Sequence, residues 1–128
     1  MNRPQTRGTN FRNKVERAMS EGADFLLDIH SYPDSTESPF QGLDIVILNS
    51  YPKLQGTIPS IYYTKTKRIA KQYGLKVDLQ SATLENDIVK QAIEYEIPAV
   101  LVEHNELGPP ETYALIHLDV LRELLLSI

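Results

Sequence analysis

An α/β fold is what this sequence predicts, with helices layered on both faces of a mostly parallel or mixed sheet. Three observations carry that reading. Apolar runs such as FLLDIH (25–30), LDIVILN (43–49) and PAVLVEH (98–104) are too short for helices and nearly continuous, the pattern of buried strands. Between them, apolar residues recur at helical spacing. Glycine and proline stand at the joints. Strands alternating with helices build a three-layer α/β/α sandwich, and 128 residues are enough for one domain, read as 1–128.

Each element has its own signal. Thr9 or Asn10 caps a first helix, with Phe11, Val15, Ala18 and Met19 inward and Gly22 closing it. FLLDIH then reads as a strand buried on both faces, and 31–41 as a loop rich in turn residues. LDIVILN is a second buried strand, followed by a loop over 50–59. Ser60 caps a helix over 61–73, with Ile61, Ile69, Ala70 and Tyr73 inward and Gly74 after it. LKVDLQ (75–80) alternates, so it is a half-exposed strand. A helix over 85–95 places Ile88, Val89, Ala92 and Ile93 on one face. PAVLVEH opens on proline, as strands can. Pro109 and Pro110 start the last helix, over 110–126. No internal repeat, low-complexity segment or linker interrupts this order.

Composition narrows the function. Hydrophobic residues make up 41% and charged residues 23%, the balance of a chain that folds. The net charge of −4 argues against nucleic acid and gives no reason to expect an anionic membrane surface. No apolar run approaches the roughly 18 residues of a membrane span, and MNRPQTRGTN lacks the apolar core of a signal peptide. A cytoplasmic, intracellular site of action is expected. The absence of cysteine excludes disulfides, thiolate nucleophiles and Cys-zinc sites.

In open α/β sheets, sites gather at the carboxyl ends of strands. Two strands end there in chemistry: one in His30, the other in Glu103 and His104. An imidazole and a carboxylate on neighbouring strand ends suit zinc binding with general-base activation of water. The plainer alternative is a histidine bonded in a loop junction and a glutamate in a surface ion pair. Asp28 needs a partner and can orient His30 from two residues upstream. His117, inside the last helix, reads as structural. Tyr62 and Tyr63 read as packing and rim residues, and KTKRIAK (65–71) as a solvated helix face.

The segment Asp-Ile-His-Ser-Tyr (28–32) resembles the one that supplies the third zinc ligand in zinc carboxypeptidases and the related N-formylglutamate amidohydrolases. Asn2-Arg3, with Pro-Gln-Thr-Arg-Gly-Thr after it, is similar to that group's carboxylate-gripping pair. IPAVLVEHNE resembles its general-base strand. The resemblance implies a truncated phosphorylase/hydrolase-like fold, His30 as metal ligand, Asn2 and Arg3 as substrate clamp, and Glu103 as general base. A guanidinium fork matches a carboxylate bidentately, and zinc acidifies its water for the glutamate to deprotonate.

The sequence departs from the pattern in one place. The group's first two ligands come from His-x-x-Glu upstream of the Asn-Arg pair. Here no His-x-x-Glu occurs, and Met1 immediately precedes Asn2. Catalytic zinc normally has three protein ligands, so zinc is expected to bind weakly or not at all. Should the metal bind well, His104 and Glu106 are the next ligand candidates. The expectation is a degenerate hydrolase-like domain, a pseudoenzyme acting as a structural or interaction protein, with a viral particle among the assemblies it suits. The alternative is a zinc-dependent hydrolase that cleaves an amide next to a carboxylate. Loss of opening strands predicts a sheet edge covered by a protein partner or a homo-oligomer. LDIVILN, with no lysine or proline to guard it, is the segment expected to need that cover.

Overall fold

The computed structural model describes residues 6–36, 38–81 and 87–126. Helix α1 (Asn10–Ser20) begins where the Thr9 side chain accepts the Arg12 N–H, and it closes at Gly22, whose φ of 96° suits glycine. Strand β1 (Leu26–Tyr32) follows, then β2 (Ile45–Asn49). A short helix α2 (Pro52–Gln55) precedes α3 (Ile58–Ala70), which ends in a 3₁₀ turn and left-handed Gly74. Strand β3 (Val77–Ser81), helix α4 (Asp87–Glu94), strand β4 (Ala99–Asn105) and helix α5 (Pro110–Leu126) complete the chain.

The sheet is mixed, in the order β1-β4-β2-β3. β1 runs parallel to β4 and β2 parallel to β3, while β2 and β4 are antiparallel. The two parallel pairs therefore point their carboxyl ends at opposite edges. Strand alternation sorts side chains between two cores. Val46, Leu48, Ala99 and Leu101 meet Met19 of α1 and Val89 and Ala92 of α4. Ile45, Ile47, Val100 and Val102 meet Tyr62 and Ile69 of α3 and Ile116 and Val120 of α5. This is the three-layer α/β architecture.

Several expectations need correction. LDIVILN is covered by its own chain, because β2 lies between β4 and β3 and Ile45 to Leu48 are fully buried. The sheet edges are β1 and β3 instead. As an edge strand, β1 is not buried on both faces: its residues are mostly half-buried and Ile29 is 46% exposed. It also extends through Ser31 and Tyr32, where turn-rich sequence predicts a loop. Ser60 does not cap α3, which starts at Ile58 with a proline in its first turn; the Ser60 hydroxyl instead donates to the Thr57 carbonyl. Ile61 and Tyr73 face outward, and Tyr62 is fully buried.

On α1, Phe11 is exposed and Arg12 takes its place in the interior. The buried Arg12 guanidinium donates to Gln91 Oε1, from Nε at 3.2 Å and Nη2 at 2.5 Å, and Glu16 lies 3.3 Å away. A buried charge persists only when paired and hydrogen-bonded. Here α1 and α4 supply those partners together.

Candidate functional site

The parallel pairing of β1 with β4 sets His30 opposite Glu103. Both belong to the series that faces α1 and α4: Leu26 and Tyr32 on β1, and Ala99 and Leu101 on β4, all pack into that core. Asp28 and His30 share the same strand face. His30 Nε2 lies 3.1 Å from Asp28 Oδ2, in a half-buried setting where the side chains are 32% and 16% exposed. Burial raises the Glu103 carboxyl pKa above its ordinary value; His30 opposes that rise and Asp28 adds to it. The three side chains thus form one electrostatic cluster.

The rim of this edge is tied to the amino ends of the other two strands. Tyr32 Oη donates to the Leu43 carbonyl at 2.5 Å, and its ring meets Phe40 edge-on. Asn105 Nδ2 donates to the same carbonyl, and the Asn105 N–H donates to Asp44 O. Asp44 Oδ2 accepts the Lys76 N–H at 2.7 Å. These bonds hold the strand ends against which His30 and Glu103 are set.

His104 points the other way, toward α3 and α5. Its Nε2 lies 2.7 Å from His117 Nε2, and the rings stack. His117 Nδ1 in turn lies 2.5 Å from Tyr62 Oη, and these rings stack as well. The chain runs in one of two directions: the Tyr62 hydroxyl donates to His117 Nδ1 and His117 Nε2–H to His104, or His104 Nε2–H donates to His117 and His117 Nδ1–H to Tyr62. Burial lowers the His104 pKa to about 4. It lowers that of His117 to about 3, with His104 adding to the effect. Tyr113, whose ring lies 4.3 Å from that of His104, closes the cluster. Its hydroxyl is buried without a hydrogen-bond partner among the described residues. It sits so close over Gly108 that a Cβ there would lie 1.7 Å from it.

The expected residues therefore separate. His30 and Glu103 come together with Asp28. Asn2 and Arg3 lie outside the described residues. His104 lies on the opposite face from His30, so the two cannot share a metal. Glu106 is exposed on the turn after β4. Among the described residues, no group of three His, Cys, Asp or Glu side chains is placed to hold a metal ion. With Asp28 already on the His30 ring, the described donors do not fit a catalytic zinc, which needs three. A cavity of about 250 Å³ lies at the other end of β4, lined by Leu54, Ile58, Ile93 and Ile97, with Gln55 and Glu96 at its polar side.

Sequence reading missed the Tyr62–His117–His104 chain and Arg12. A signal for Tyr62 was present: with Thr66, Ile69 and Ala70 it forms a stripe at i, i+4, i+7 and i+8. Its contact with His117, 55 residues away, had none.

No family model and no curated protein matches the sequence. Among solved structures, the chain is similar to gene product Atu2144 from Agrobacterium tumefaciens, with a TM-score of 0.51 and 14% identity. The match covers 91% of this chain and 50% of that one, so the chain spans about half the length of that structure. At this identity the likeness concerns the α/β fold. No helix among the described residues is long and apolar enough to cross a membrane.

Proposed function

We propose that this chain is a degenerate domain of the zinc carboxypeptidase and N-formylglutamate amidohydrolase type, working as a non-catalytic structural or interaction component of a larger assembly. The observation that carries the reading is the half-site itself. Asp28, His30 and Glu103 stand together at the carboxyl edge of β1 and β4, with too few described donors for a catalytic metal. Edge strand β1 borders this cluster and leaves Ile29 exposed, which suits pairing with another protein.

One observation favours a second reading, zinc-dependent cleavage of an amide next to a carboxylate. Asp28 orients the His30 ring, and Glu103 has the raised pKa of a general base. That reading needs further ligands from outside the described residues or from another chain. The test is an assay of the purified chain, with zinc supplied, on N-formylglutamate and on a peptide with a free C-terminus. No turnover is expected. Turnover that disappears in both His30→Ala and Glu103→Gln would replace the first reading with the second.

A further inference from the structure

Helix α5 is apolar on two opposite sides. Tyr113, Ile116, His117 and Val120 face the core. On the far side Leu115, Leu118 and Leu125 are 53%, 59% and 45% exposed, and the exposed Arg122 lies in line with them. At about 100° per residue these four positions fall within one stripe. A second run of exposed leucines on a helix already packed through its other side is a surface suited to a partner. Here α3 flanks α5, joined to it by ion pairs from Arg68 and Lys65 to Glu123, and leaves the far side open.

The spacing of the stripe allows a second copy to lie on it, and its flanking charges favour one. Positions 115, 118, 122 and 125 step by 3, 4 and 3, which reads the same from either end. Laid antiparallel on itself about a two-fold axis, the stripe sets Leu115 against Leu125 of the other copy, and Leu118 against the stem of Arg122. The charges agree. Asp119 flanks the stripe and lies 3.9 Å from Arg122 within one chain, with both side chains solvent-exposed. In the antiparallel pair, Arg122 of each copy also meets Asp119 of the other. Self-complementarity of this kind is the requirement of a two-fold interface. The 3-4-3 step is that of a helix-pair seam.

We propose that the outer face of α5 docks on the same face of a second copy of this chain. This surface is separate from the Asp28–His30–Glu103 cluster and does not depend on how that cluster is read. One helix seam is small beside a standard interface, so the association is weak and reversible.

Sedimentation velocity from low micromolar to submillimolar chain tests it. The wild type is expected to shift reversibly from monomer to dimer. Asp119→Arg and Arg122→Asp each place like charges across the axis, so each alone is expected to stay monomeric. Mixed in equal amounts, the two variants restore opposite charges across the axis and are expected to form a heterodimer. Leu118→Gln, which changes no charge, is expected to weaken the wild-type dimer at least tenfold. Thermal melts of all variants check that each is folded. A wild type that stays monomeric throughout, single variants that dimerise undiminished, or a mixture that fails to pair would each overturn the proposal. The first of these would leave the face to a different protein.

Discussion

Glu103 and His104 are neighbours in sequence, yet strand alternation sends them into opposite layers. On the α1/α4 side, Glu103 joins His30 and Asp28 in a cluster that is half open to solvent and electrostatically linked. On the α3/α5 side, His104 joins His117 and Tyr62 in a stacked, buried chain in which burial keeps both imidazoles neutral. The same residue type does different work in the two places. A partly solvated imidazole beside carboxylates is open to solutes and ions. A buried neutral pair is fixed by one shared proton and by its stacking, and it locks β4 to α5 and α3.

The largest expected difference between the two regions is in stability. His117→Ala removes a buried ring and strands the Tyr62 hydroxyl, a loss of about 3 kcal/mol. His30→Ala removes a half-exposed ring from an edge strand, a loss of under about 1 kcal/mol. Urea unfolding of both variants measures the gap. Equal losses would erase the distinction between a structural and a surface histidine.

Acid is expected to act through the buried pair. Both histidines have folded pKa values below the unfolded value of about 6.5, so below that pH the unfolded chain binds more protons. Their contribution is present in full above pH 6.5 and declines as pH falls toward about 4 and then about 3. The slope reaches at most about 1.4 kcal/mol per pH unit for each ring. The doubly protonated pair would also oppose two N–H groups across the Nε2 contact. Urea unfolding at pH 7, 6 and 5 reads this decline, and a flat profile would contradict it.

How much of this was legible depended on distance along the chain. The strand runs at 25–30, 43–49 and 98–104 were readable because they are short, apolar and bounded by turn residues. His30 and Glu103 could be brought together because both lie near the carboxyl ends of strands, and parallel neighbours share an edge. Strand order was not readable. Nothing local says that β2 runs antiparallel to β4 and so escapes the edge. The inward face of α1 was misread because an arginine was counted as polar; its burial depends on Gln91, 79 residues away. The histidine chain was hidden for the same reason.

The smallest expected effect separates Glu103 from an ordinary structural residue. Its pKa is raised, so at neutral pH the ionised carboxylate is disfavoured in the folded state. Glu103→Gln removes that penalty and is expected to raise Tm slightly at pH 7. The advantage shrinks as pH falls and the carboxyl of the parent protein takes up its proton. A drop in Tm would mean that Glu103 holds the edge together and is not a strained site residue.

The division of the three histidines is tested most directly by zinc titration of the folded, ¹⁵N-labelled chain at pH 7, following the imidazole nitrogens by NMR. His104 and His117 are each expected to show one fixed neutral tautomer and no response to zinc. His30 alone is expected to respond, weakly and only with metal in excess. Tight stoichiometric binding, or a shift at His104 or His117 in step with His30, would contradict it.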